Sequence, residues 1–262
     1  MRSRRSHPPK PQTATAQLRR SFFRDWKKRA RILEQLVRRD DLSMDEVHDL
    51  RVATRRLRAS VFVLGRCTAI TQEKKIMREL RDLGRALGAR RMWEIAIRDA
   101  ESYGAETAAL TKRLSRAEKA LRRAMRPGRM DALIARLKKT EGFIPGASFE
   151  RMGPWLENFE WELAYRLERR PKTADDRHLL RIEMKKVRYV IECLGRRSRM
   201  VEKLQDYLGR EHDLGVVRPF VGREPRLTRD VRQAGSSANK AMKPALESAM
   251  RQLLMLRRDI AR

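Results

Sequence analysis

The sequence predicts an all-α protein made of two related helical halves. Three observations carry that prediction. No segment alternates apolar and polar residues as a strand would, whereas apolar residues recur at three- and four-residue spacing along most of the chain. Charged residues make up 37% of the 262 positions, which suits long amphipathic helices better than a β-sandwich. A motif of the same residue types also occurs twice, at residues 47–58 and 177–188, a constant offset of 130.

The elements follow in order. Residues 1–13 read as a disordered basic tail, with no apolar signal core behind it. A basic helix over about 14–39 places Phe22, Trp26, Leu33 and Leu36 at helical spacing. Ser43 followed by Glu46 forms a capping-box signature opening a second helix that ends near Gly65. Two helices are expected over 72–87 and from 91 to just before Gly104, separated at Gly88, then one over 106–125 stopped by Pro127-Gly128. The Gly- and Pro-containing stretch 141–153 is the candidate boundary between halves, 14–140 and 141–262, of one domain. Helices are then expected over 154–170, 176–194, 198–208, 212–221 and 239–260. The short connections favour antiparallel neighbours in bundles.

The charge balance narrows the function. Lys and Arg number 63 against 34 Asp and Glu, a formal charge of +29. A compact state this basic repels itself, so a polyanion that neutralises it should stabilise the fold. Cys67 and Cys193 stand far apart without metal-ligand spacing and read as small core residues, which suits a cytoplasmic protein. No apolar run is long enough to span a membrane. Neither a metal nor a cofactor is expected.

The repeated motif localises the charge. His48, Arg51, Arg55, Arg56 and Arg58 match His178, Arg181, Lys185, Lys186 and Arg188. On a helix, His48, Arg51, Arg55 and Arg58 fall within an arc of roughly 80°, opposite Leu50, Leu57 and Leu64. His178, Arg181, Lys185 and Arg188 do the same opposite Leu180, Val187 and Ile191. Cations three and four residues apart repel by a few tenths of a kcal/mol per pair. Two such stripes make sense when an anion bridges them, since guanidinium forks and ammonium groups both suit phosphate oxygens. A weaker repeat matches Leu83, Leu87, Gly88 and Arg91 with Leu204, Leu208, Gly209 and His212. It places Lys203 near a helix end and His212 at a helix start, where free N–H groups would favour an anion.

The segments VHDLRVATRRLR (47–58), HLLRIEMKKVRY (178–189) and KLQDYLGREHDLGV (203–216) together resemble the CHAD family, the conserved-histidine α-helical domain. The resemblance extends from the first helix to the last. It implies two pseudo-symmetric four-helix bundles with a basic groove or cavity between them, and binding of inorganic polyphosphate, in some relatives at polyphosphate granules. By motif position it assigns the groove to His48, Arg51, Arg55, Arg56, Arg58 and Arg91 from one half. From the other it assigns His178, Arg181, Lys185, Lys186, Arg188, Lys203 and His212. Arg91 departs from the family pattern, because Met92 stands where an acidic neighbour is usual.

No phosphate-binding glycine loop is present, and Asp40-Asp41 and Asp175-Asp176 sit before helices, where capping explains them. The expectation is therefore a non-catalytic binder; any polyphosphate-metabolising enzyme would be a separate partner protein. Sequence-independent RNA or DNA binding is the alternative, although aromatic residues for base stacking make up only 6% of the chain.

Overall fold

The computed structural model describes residues 14–168 and 173–261. The predicted basic tail lies outside the described residues. Within them the chain is all-helical, with nine α-helices and one 3-10 turn and no strand.

α1 (Ala14–Leu36) buries Leu18, Phe22, Trp26 and Leu33 along one stripe. α2 (Met44–Cys67) opens with the predicted capping box. Glu46 N donates to Ser43 Oγ at 3.2 Å, and Ser43 N donates to Glu46 Oε2 at 2.8 Å. Its core face carries Val47, Leu50, Leu57, Val61 and Leu64.

α3 (Glu73–Ser102) differs from the sequence prediction, because one 30-residue helix replaces the two expected around Gly88. A glycine inside a helix costs about 1 kcal/mol relative to alanine. Leu80, Leu83 and Leu87 on one side and Ala96 and Ala100 on the other are all buried, which outweighs that cost. Likewise α8 (Arg199–Val221) runs unbroken through Gly209, held by Leu204, Leu208, Leu214 and Val217.

α4 (Ala108–Ala124) ends near Pro127 as expected, but Pro127 also opens a helix that the sequence reading omitted, α5 (Pro127–Glu141). Proline suits this first-turn position because the missing N–H has no helical acceptor there. A 3-10 turn at Phe149–Met152 leads into α6 (Gly153–Glu168). α7 (Ala174–Cys193) starts with a capping box of Thr173 and Asp176, which accounts for Asp176, and Asp175 stands beside it in the first turn. α9 (Pro225–Ala261) is 37 residues long and begins well before the predicted start at Asn239.

The main apolar core draws on all nine α-helices, so it crosses the stretch 141–153. A smaller cluster joins Ala96 and Ala100 of α3, Leu110 of α4, Leu214 and Val217 of α8, and Leu227 of α9. α2 packs against α3 on one side and α7 on the other, and α7 packs against α8. That arrangement brings the two copies of the repeated motif together. Both cysteines are buried and free; burial pushes the Cys67 thiol up to about 12, so it behaves as an apolar core group.

Candidate functional site

Each motif helix uses its apolar stripe for the core, which leaves its basic stripe facing the other copy. Arg51 and Arg55 of α2 then meet Arg181 and Lys185 of α7. Burial pushes Arg51 down to about 10, with Arg55 and Arg181 adding to the effect. It remains cationic through the physiological range. Arg181 is lowered by burial too, with Arg55 adding and Asp213 opposing.

Lys185 feels the crowding most. Burial first, then Arg181, Arg55 and Arg51, push its ammonium down to about 6. Among the described residues, Asp213 of α8 is the carboxylate acting on Arg51, Arg181 and Lys185. Burial raises the Asp213 carboxyl against the pull of Arg181 and Arg51. Arg55 Nη1 donates to Tyr189 Oη at 3.5 Å, the long limit for a hydrogen bond.

The donors are also under-used. The Nε atoms of Arg51, Arg58 and Arg181 are buried and find no acceptor among the described residues. A buried charged donor without a partner costs more than about 1–3 kcal/mol. The site therefore holds more positive charge and more hydrogen-bond donors than its own residues satisfy.

At the edge of this cluster, His178 and His212 lie with ring centroids 5.6 Å apart and planes inclined by 34°. They line a cavity of about 350 Å³ with Arg181, Asp175, Glu211 and Gly215. His212 is pushed down to about 4, by burial first and then by Arg181, His178 and Lys185. The expectation that His212 starts a helix is corrected: it lies inside α8, so its backbone N–H is not free for an anion. Its contribution comes from the imidazole.

The remaining predicted residues separate into groups. Arg58 lies beside Arg55 and, on α3, Arg81 and Arg85. His48 is exposed at the start of the second turn of α2, about one turn before Arg51. Lys186 and Lys203 are exposed, with the Lys203 ammonium 5.9 Å from the Tyr207 ring. Arg56 turns away from the cluster and joins Asp25 of α1 at 3.2 Å and Glu192 of α7 at 2.6 Å. The helical turn explains this, since residue 56 stands outside the arc shared by 48, 51, 55 and 58.

Arg188 is within the corresponding arc, but Glu192 at 2.7 Å, Gln205 at 3.1 Å and Glu202 at 3.9 Å hold it. The excess positive charge of the second stripe therefore stops short of Arg188. Arg91 finds an acidic partner after all, Glu94 at 3.5 Å, one turn on rather than next in sequence. Asp213 and Tyr189 are the members of the site that sequence reasoning passed over. The His-Asp pair at 212–213 and the tyrosine directly after the second motif were their signals.

A larger cavity of about 540 Å³ lies away from the cluster. Arg38, Arg122 and Arg126 alternate there with Asp40, Asp41 and Asp131, so it offers no face of single sign. Among the described residues no group of three His, Cys, Asp or Glu side chains is arranged to hold a metal ion. No helix among them is long and apolar enough to cross a membrane.

A family model described as "CHAD domain" matches residues 28–222. Among solved structures, PptA from Streptomyces chartreusis superposes with a TM-score of 0.63 at 14% identity. The match covers 94% of this chain and 99% of that one. The CHAD domain from the plant Ricinus communis superposes with a TM-score of 0.54 at 21% identity, covering 97% of this chain and 96% of that one. No curated protein matches at the sequence level.

Proposed function

The chain belongs to the CHAD domain family, and from that premise and the unbalanced cation cluster we propose that it binds inorganic polyphosphate without cleaving it. The observation that carries this reading is the meeting of Arg51, Arg55, Arg181 and Lys185 with Asp213 as their acidic counterweight. A purely structural interface would interleave carboxylates, as Arg136 and Glu79 do elsewhere in the molecule. Here the missing negative charge is left to a ligand. A flexible chain of phosphates supplies it at short intervals and has no bases to accommodate.

Binding restores what burial takes away. Phosphate oxygens accept from the unsatisfied Nε donors and bring Lys185 and His212 back toward their charged forms. Non-catalytic binding is the reading we favour because the cluster is rich in donors that orient anions, with Asp213 set among its cations. Attachment to polyphosphate granules would be its cellular consequence.

Competition tests the reading. Labelled long-chain polyphosphate is bound at near-physiological salt and challenged with RNA, duplex DNA and orthophosphate. Displacement by unlabelled polyphosphate alone is the expected result. Equal displacement by RNA or DNA would instead make the protein a general polyanion binder, and metal-dependent release of orthophosphate would make it a hydrolase.

A further inference from the structure

We infer that the polyanion path leaves the α2–α7 face past Arg58 and continues over Arg81 and Arg85 of α3, which thereby bind the outer part of a long phosphate chain. This rests on the polyphosphate reading above and gives the symmetrical repeat a direction.

Arg58 and Arg188 are equivalent positions of the two motifs, yet their surroundings are opposite. Arg188 is closed by Glu192, Gln205 and Glu202. Arg58 keeps a buried Nε without an acceptor. Among the described residues, the charges acting on it are three guanidiniums, those of Arg81, Arg55 and Arg85. An anion leaving the cluster thus meets acids around Arg188, on the side of α8, and arginines around Arg58, on the side of α3.

The helix crossing places the α3 arginines. A Cβ added at Gly84 would stand 3.5 Å from Thr54 Cγ2, so α3 passes close to α2 at that point. Thr54 is adjacent to Arg55 and one turn before Arg58. Arg81 and Arg85 flank Gly84, are four residues apart on one face of α3, and are both exposed. Asp82 approaches Arg85 only at 4.0 Å and is engaged by Arg129 at 2.7 Å. Arg81 has no ion-pair partner among the described residues. Arg51 to Arg58 spans about 10 Å along α2 at 1.5 Å per residue, so a short oligophosphate fits within the central cluster while a longer chain must pass its edge.

The experiment measures affinity for tripolyphosphate and for long-chain polyphosphate at fixed salt, using the full chain. R81E/R85E is compared with K112E/R116E, which makes the same charge change at exposed positions of α4. R81E/R85E should weaken long-chain binding by about 10-fold or more and tripolyphosphate by less than about 2-fold, while the control changes both by no more than about 3-fold. The charge-neutral R81Q/R85Q should show the same contrast, smaller in size, if the reversal impairs folding.

The inference is overturned if R81E/R85E matches the control, or if it weakens tripolyphosphate as much as the long chain. Failure of the unaltered protein to bind either phosphate would overturn the polyphosphate reading itself, and this inference with it.

Discussion

Arg136 and Arg181 are both partly buried arginines on helices, and they do opposite things. Arg136 of α5 donates to both carboxylate oxygens of Glu79, at 3.0 and 2.9 Å, and its Nε reaches Gln72 at 2.9 Å. It ties α5 to α3 and needs nothing more. Arg181 faces Arg55 and Lys185, leaves its Nε unsatisfied, and has Asp213 as its acidic counterpart. The first is charge matched by an acid, and the second is charge in excess. The formal charge of +29 is not evidence of a site by itself, since many arginines are matched by acids. The signal is a place where burial and like charge coincide and one carboxylate, Asp213, faces several cations.

Paired charge reversals in the cation cluster should have the largest effect. R51E/R55E and R181E/K185E should each reduce polyphosphate affinity by about 100-fold or more, because each removes two cations and adds two repulsive groups. Titration of the long polymer at fixed salt checks this. If only one pair mattered, α2 and α7 would not share one site.

The opposite signature belongs to the α3–α5 seam. Arg136→Met should cost about 1–3 kcal/mol of stability, because Glu79 is left partly buried without its partner. Polyphosphate affinity should stay within about 2-fold of the unaltered protein, since Arg136 is outside the cluster. Denaturant melts alongside binding curves read both quantities.

The smallest effect, and the sharpest, is in pH. The Lys185 ammonium stands near 6 in the folded protein, against an ordinary lysine value of about 10.4. Between those values the unfolded chain holds a proton that the folded one does not. Stability of the empty protein therefore rises with pH from about 6 toward 10. Lys185→Met should flatten that rise and lift the melting temperature near neutral pH by about 2–4 °C per kcal/mol gained. Binding runs the other way, because a polyanion favours the protonated amine. Affinity should fall as pH rises above about 6, and calorimetry in buffers of different ionisation enthalpy should show net proton uptake. Lys185→Arg keeps the charge fixed and should weaken both dependences, leaving only the His212 contribution, which begins near 4.

Much of the site was legible in the sequence because its information is periodic. The 130-residue repeat and the helical arc identified Arg51, Arg55, Arg181 and Lys185, and these are the side chains that meet. Arg58 was legible for the same reason. Arg56 was not, because motif matching counts positions while a helix distributes them by angle; residue 56 turns toward Asp25 and Glu192. Arg188 had the correct angle and still went elsewhere, since Glu192 lies one turn farther along its own helix.

Local signals fixed other features unaided. Ser43 and Glu46 specify the start of α2 because a capping box is made within four residues and needs no distant partner. The all-α class followed likewise from apolar spacing, which each helix carries in its own residues. Tertiary structure decided what depends on comparing local cost with distant packing. Gly88 and Gly209 carry a breaking tendency of about 1 kcal/mol, overridden by leucines and alanines buried on both sides in α3 and α8. It also decided the difference between Arg58 and Arg188, since no property of an arginine in sequence says whether the neighbouring helix will bring it an acid or another arginine.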